Sequence, residues 1–149
     1  MRHLFRVACL MFLLPLLAQA KEGQTFQTFG DYKVVYTVFN SSFIQPDVAK
    51  AYGITRAANQ VLINIALIKS TAAGDSEGLP AEVSGTATNL MQQQKTLNFF
   101  TVREQSATYF LAPLRFDNEE ILNFNIRVKA SADAVPFDLK FTKMLYVDK

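Results

Sequence analysis

Residues 120–130 read Glu-Ile-Leu-Asn-Phe-Asn-Ile-Arg-Val-Lys-Ala, and this stretch decides the fold class. Every second side chain from residue 122 onward is apolar, namely Leu122, Phe124, Ile126 and Val128. The side chains between them are polar or charged. A period of two residues is typical of a β-strand with one buried face and one face in water. We therefore predict a strand that covers a hydrophobic core.

A second strand of the same kind is predicted at residues 137–147, where the buried face consists of Phe137, Leu139, Phe141 and Leu145. Residues 60–68 differ, because they are almost wholly apolar. A continuous apolar run bounded by polar residues is typical of a central strand that is buried on both faces. The core should be rich in phenylalanine, since eleven of the 13 phenylalanines follow residue 20.

Weaker patterns predict four more strands, at residues 32–39, 82–88, 97–102 and 108–114. The strand at 82–88 is predicted to lie at a sheet edge, because its residues are mostly small or hydroxylated. Residues 70–80 are polar and contain two glycines, which predicts a flexible loop.

One segment, between the predicted strands at residues 32–39 and 60–68, has a helical pattern. Pro46 suits the first position of a helix, Asp47 favours its positive end, and Gly53 can end it in a left-handed conformation. We predict a short helix inserted after the first long strand. Seven strands and this helix predict an all-β fold, an antiparallel immunoglobulin-like β-sandwich, with a small barrel as the alternative.

The first twenty residues predict an export signal. Arg2 and Arg6 provide a positive start, residues 7–17 form an apolar run, and residues 18–20 (Ala-Gln-Ala) supply the small side chains of a cleavage site. The run is too short to span a bilayer, so we expect cleavage after Ala20 and a periplasmic product. A lipid anchor on Cys9 is not expected, because most of the apolar run follows that residue.

Cleavage changes the available chemistry, because His3 and Cys9 are the only histidine and cysteine of the chain. The remaining 129 residues, 21–149, form one domain by size. Without imidazole or thiol, the usual catalytic triads and transition-metal sites lack their key groups. Glu119 and Glu120 are adjacent, so on a strand they would point to opposite faces and could not act as a pair. We therefore expect no enzymatic activity, no catalytic residues, no cofactor and no metal.

Charge argues against nucleic acid as a partner. The chain has 15 basic and 13 acidic residues, and two of the basic residues leave with the export signal. The domain that remains is neutral and lacks a basic segment, whereas nucleic-acid binding relies on a concentrated positive charge. No segment after residue 20 is apolar enough to span a membrane.

Several short motifs resemble one family of secreted bacterial proteins, a domain of unknown function numbered 4426 (DUF4426). The most specific are Asn-Ser-Ser-Phe at residues 40–43 and Ala-Tyr-Gly-Ile-Thr-Arg at residues 51–56. Phe-Gly-Asp-Tyr at 29–32 and Phe-Thr-Val-Arg-Glu at 100–104 extend the resemblance over nearly the whole domain. The resemblance implies a periplasmic location in a Gram-negative bacterium, and it implies no activity.

The inserted segment, residues 40–56, is where we expect function. Asn40, Tyr52 and Arg56 could present a polar and aromatic patch at one end of the sandwich, and Tyr and Arg are favoured in recognition sites. The alternative for Arg56 is structural, because a guanidinium there could bond the carbonyls at the helix C-terminus. From the patch we predict a module that docks a protein partner in the bacterial envelope.

A second function remains open, that of a carrier for a small hydrophobic ligand held between the sheets. Its pocket would be lined by aromatic side chains, namely Phe99, Phe100, Phe110 and Phe124. The same residues could equally fill an ordinary core.

Overall fold

The computed structural model describes residues 25–149, so the predicted export signal lies outside the described residues. In this part of the chain the strands are β1 (Thr25–Phe29), β2 (Tyr32–Asn40), β3 (Gln60–Thr71), β4 (Gly74–Asp75), β5 (Glu82–Asn89), β6 (Gln94–Leu97), β7 (Phe100–Glu104), β8 (Ala107–Arg115), β9 (Glu120–Lys129) and β10 (Phe137–Leu145). A 3-10 turn, Ser41–Phe43, and one α-helix, α1 (Pro46–Tyr52), lie between β2 and β3.

The strands form two antiparallel sheets. In the six-stranded sheet the order is β1-β2-β3-β8-β7, and β4 pairs with the end of β3. In the four-stranded sheet the order is β10-β9-β5-β6. Apolar side chains from both sheets form one core between them. The predicted antiparallel β-sandwich with a short helix after its first long strand is confirmed, whereas its immunoglobulin-like character stays a prediction.

The core is built by the alternating side chains that the sequence indicated. Leu122, Phe124, Ile126 and Val128 on β9 are all buried. The ring of Phe141 on β10 stacks on Phe124, with centroids 4.7 Å apart, and on Tyr36 of the opposite sheet at 4.3 Å. Aromatic stacking therefore joins the two sheets across the sandwich, and the predicted facing of both strands is confirmed.

Strand β3 lies in the middle of its sheet and is buried on both faces, as predicted. Ile63, Ile65 and Leu67 point into the core between the sheets. Leu62 and Ala66 point the other way, yet they are also buried, with 0% and 6% of their surface exposed. The outer face of the six-stranded sheet is therefore covered in part: α1 faces Asn64 across one cavity, and residues 76–78 border another beside Ala66.

Two strand predictions are wrong. Residues 82–88 do not form an edge, because β5 lies between β9 and β6. The sequence missed β6 because most of its side chains are polar and exposed, without the alternation of a half-buried strand. Residues 97–102 are not one strand either: β6 ends at Leu97 in one sheet and β7 begins at Phe100 in the other.

The helix prediction is confirmed. Pro46 occupies the first turn of α1, and Gly53 ends the helix in the left-handed region at φ 65°. A residue with a Cβ would be strained in this conformation. Within residues 25–149, no helix has the length and apolarity needed to cross a membrane.

Strand register gathers four chain segments at one end of the sandwich. Asn40 pairs with Val61, Asn89 pairs with Leu122, and Leu145 pairs with Glu120, so the ends of these strands coincide. The backbone N–H of Asp148 donates to the carbonyl of Ala58 at 2.9 Å, which ties the two sheets together there. We name this region the insertion end, and it comprises residues 41–58, 90–93, 117–119 and 146–149.

Candidate functional site: the insertion end and the groove beside it

A buried serine fixes the insertion at both of its ends. Ser41 is fully buried, and its hydroxyl donates to the carbonyl of Ala57 at 3.1 Å while accepting from the N–H of Ala57 at 2.9 Å. Ser42 donates to the carboxylate of Asp148 at 2.5 Å. These bonds hold the insertion as a closed loop on the sandwich and bring the C-terminal segment against it.

Of the three predicted site residues, Tyr52 and Arg56 lie in this loop and Asn40 is the last residue of β2, directly before it; they take different roles. The Arg56 guanidinium donates to the carbonyl of Ser42 at 2.9 Å, so the alternative that it bonds the C-terminal carbonyls of α1 is wrong in its partner. The carbonyl of Ala49 on α1 instead accepts from the backbone of Ile54. Asn40 precedes the 3-10 turn without a side-chain capping bond. Tyr52 is 40% exposed and lines the groove described below.

Large apolar side chains are exposed at the insertion end. Each has at least two fifths of its surface in solvent: Phe43, Val48, Tyr52, Leu90, Met91 and Tyr146. Phe43 is 69% exposed and Met91 is 77% exposed. Single exposed apolar residues are ordinary, but several brought together from separate segments are typical of a protein interaction site.

Beside the insertion, a groove runs over the outer face of the six-stranded sheet. Its apolar half has a volume of about 370 Å³ and lies between the insertion and the sheet. Val48 and Tyr52 of α1 and Ile54 form one wall, while Val102 and Leu111 contribute to the floor. Val48 and Tyr52 belong both to this wall and to the exposed apolar set, so the groove adjoins the insertion end.

The second half of the groove has a volume of about 690 Å³ and lies where strands β3 and β8 separate. We name this place the split. Strands β3 and β8 pair only as far as Ile65 and Phe110. Beyond that point the segment 76–79 runs between them, since Leu79 donates to the carbonyl of Leu67 at 2.8 Å and Thr108 donates to the carbonyl of Gly78 at 2.9 Å. The predicted flexible loop at 70–80 is therefore wrong for this part, which pairs with both strands.

Gly78 allows this close approach. A Cβ built at residue 78 would lie far inside van der Waals contact with the carbonyl oxygen of Thr108. Only a glycine lets segment 76–79 approach β8 closely enough to form its hydrogen bond. The sequence contains the glycine but does not show that it packs against Thr108. The side of the groove formed by segment 76–79 could therefore not be predicted.

Two carboxylates and one buried side-chain oxygen without a donor are among the polar groups that line the split. The side-chain oxygen Oδ1 of Asn64 is buried and has no hydrogen-bond partner among the described residues. Glu104 lines both halves of the groove, and Glu77 lines the split, where it accepts a bond from the hydroxyl of Ser106. No lysine or arginine is among the described residues that line either half. Sequence reasoning missed these residues, although Asn64 interrupts an otherwise apolar strand.

The four phenylalanines predicted to line a ligand pocket do not share one. Phe110 and Phe124 are buried in the core, and Phe99 packs against it. Phe100 pairs with Leu111 in register, so it belongs to the outer face and points away from Phe110. Three of the four therefore fill the sandwich, and the cavities near the insertion lie on the outside of the six-stranded sheet.

The described residues contain no group of three or more His, Cys, Asp or Glu side chains placed to hold a metal ion. Their ion pairs join exposed strands, such as Lys33 with Asp75 at 3.0 Å and Arg127 with Asp138 at 3.3 Å. Exposed pairs of this kind contribute at most about 1 kcal/mol to stability.

Comparison with known proteins identifies the family. The model of the domain of unknown function DUF4426 matches residues 26–148. The chain belongs to this family. A DUF4426 family protein from Pseudomonas aeruginosa PAO1 has a similar crystal structure, with a TM-score of 0.75 and 35% identity over 86% of this chain and 98% of that one. The resemblance drawn from the sequence motifs is confirmed.

Two more distant structures share the fold. Both are of FetP from a uropathogenic Escherichia coli strain: one protein was recombinantly expressed in the periplasm, and the other is a copper-bound variant. They match with TM-scores of 0.60 and 0.59 at 11% and 12% identity, over 84% of this chain and 95% of theirs. At this identity the likeness is one of fold. A comparison with curated proteins found no match.

Proposed function

We propose that this DUF4426 protein is a non-enzymatic binding module of the bacterial envelope, and that it docks a protein partner through the insertion end. The observation that carries the proposal is the set of exposed apolar side chains that separate segments bring to that end. Burying such side chains contributes roughly 25 cal/mol for each Å² removed from water. A rigid sandwich that exposes them at one end has the anatomy of an interaction surface.

The rigidity of the insertion supports the same function. Ser41, Ser42 and Arg56 each bond a backbone or side-chain group from elsewhere in the loop or from the C-terminal segment. A surface that is already ordered loses little conformational entropy when a partner binds. The proposed periplasmic location rests on the predicted export signal and on the location that the family resemblance implies.

Metal chemistry is not part of the proposal. The copper of the FetP variant belongs to a protein that shares only the fold with this chain. The sequence after residue 20 has neither histidine nor cysteine, the usual ligands of transition metals.

A capture experiment with matched variants tests the docking surface. The tagged protein is produced in its own bacterium, isolated from envelope extract, and compared with the triple variant Asn40→Ala, Tyr52→Ala, Arg56→Ala. The control carries Asn125→Ala, Lys140→Ala and Thr142→Ala on the outer face of the four-stranded sheet. We expect one co-purifying protein to be retained by wild type and control and lost by the insertion variant. Identical partner lists for all three proteins would count against this surface.

A further inference from the structure

The groove on the outer face carries an inference about the kind of partner. We propose that it binds an extended peptide segment of the partner, with an apolar residue against the insertion and a lysine or arginine in the split between β3 and β8. This inference rests on the proposed function, since it names the partner segment that would dock beside the insertion end.

The shape of the groove favours an extended segment. The residues of β3 that line it run from Asn64, where the two halves meet, to Ile68 beside the split, and those of β2 run from Val35 to Phe39. Five residues of a strand cover roughly 15 Å. A groove of this length along a sheet face fits about five residues of extended chain better than a compact metabolite.

The charges favour a cation in the split. Glu77 and Glu104 are carboxylates on its lining, and the described lining residues include no basic side chain to neutralise them. Complementary charge selects partners and fixes their register on a surface. The apolar half, with Val48, Tyr52 and Leu111, would take the uncharged part of the same segment.

The unpaired oxygen of Asn64 lies where the two halves meet. Asn64 lines both of them, and its buried Oδ1 has no donor among the described residues. A buried acceptor without a donor is costly, so it favours an occupant that brings an N–H group. A peptide backbone N–H or a basic side chain supplies such a donor.

An array of immobilised random hexapeptides tests the inference with the purified protein. We expect the bound peptides to be enriched in lysine or arginine and in at least one large apolar residue. The double variant Glu77→Gln, Glu104→Gln should lose roughly three- to tenfold in affinity for the basic peptides. The control Glu82→Gln, Asp133→Asn, which removes two exposed negative charges outside the groove and the insertion end, should bind as wild type does.

Peptides bound without enrichment in basic residues, or equal losses in both double variants, would overturn the inference, and so would the absence of any bound peptide. Such a failure is distinguishable from a failure of the proposed function. If the capture experiment loses its partner in the Asn40, Tyr52, Arg56 variant but retains it in the Glu77→Gln, Glu104→Gln variant, the insertion end binds a protein without a basic residue in the split.

Discussion

The outer faces of the two sheets differ in what they expose. On the four-stranded sheet, Asn123, Asn125 and Arg127 of β9 point into solvent in strict alternation with the core residues. On the six-stranded sheet, Leu62 and Ala66 of β3 point outward and are buried. A face meant only for water has no need of apolar side chains. The outer face of the six-stranded sheet is therefore a partly apolar surface that other segments of the chain cover, the insertion among them.

The largest expected effect comes from the interior that both faces share. Phe124→Ala should lower the free energy of unfolding by about 3–5 kcal/mol, because it removes a buried ring and leaves a cavity. Phe141→Ala should also be severely destabilising, since its ring stacks on Phe124 and Tyr36. Urea denaturation followed by circular dichroism measures both. An unchanged midpoint in both variants would refute the assignment of the core.

The split in the six-stranded sheet gives the next largest effect. Gly78→Ala should lower the free energy of unfolding by up to about 3 kcal/mol, because its Cβ would displace segment 76–79 from β8. Gly85→Ala on the four-stranded sheet is the matched change. A Cβ at residue 85 would lie 2.9 Å from the carbonyl oxygen of Asn125, whereas a Cβ at residue 78 would lie closer to that of Thr108. Gly85→Ala should therefore destabilise the protein less. Thermal melting of the two variants compares them, and a larger loss at residue 85 would contradict the close approach at residue 78.

Removing the Ser41 hydroxyl, which fixes the two ends of the insertion to each other, should have a smaller and more local effect on stability. Ser41→Ala removes two hydrogen bonds to Ala57 in a fully buried site and should cost about 1–3 kcal/mol. Hydrogen exchange should then accelerate in residues 41–58 more than in β9. The exposed Ser84 serves as the control, because Ser84→Ala should change neither stability nor exchange. Uniform acceleration over the whole chain would show that the insertion has no separate anchor.

The smallest expected effect has the opposite sign. Asn64→Leu should raise the free energy of unfolding by about 1 kcal/mol, because it removes a buried acceptor that has no donor among the described residues. Asn123→Leu on the other outer face should gain nothing, since that amide is exposed and bonded to Thr142 at 2.6 Å. Chemical denaturation of both variants measures the contrast. A destabilised Asn64→Leu protein would mean that the amide is satisfied in the folded chain.

Much of the fold was predictable because local pattern and tertiary role agree. The alternation in residues 120–130 and the proline and glycine that bound α1 each specify their element without help from distant residues. The family motif Phe-Gly-Asp-Tyr at 29–32 also marks a tight turn, since Gly30 adopts a positive φ of 59°. A two-residue turn of this kind should have indicated β1 before it.

The remaining features depend on distant partners. Residues 97–100 leave one sheet for the other without a proline or glycine to mark the change. Strand β6 is polar because it lies at an edge, so its pairing with β5 is invisible in its own pattern. The groove needs Asn64, Glu77 and Glu104 from three separate segments, and no local motif joins them. The sequence indicated correctly that the inserted segment differs from the strands around it. It could not show that Tyr52 lines the groove while Arg56 bonds the carbonyl of Ser42 and so holds the loop together.

Photo-crosslinking in living cells tests the central claim most directly. A benzoylphenylalanine at residue 52 lies beside the groove and the exposed apolar end, whereas the same probe at residue 125 lies on the polar face of the other sheet. We predict a discrete crosslinked product, with one partner protein identified by mass spectrometry, at residue 52 and none at residue 125. The same product at both residues, or at neither, would contradict docking at the insertion end.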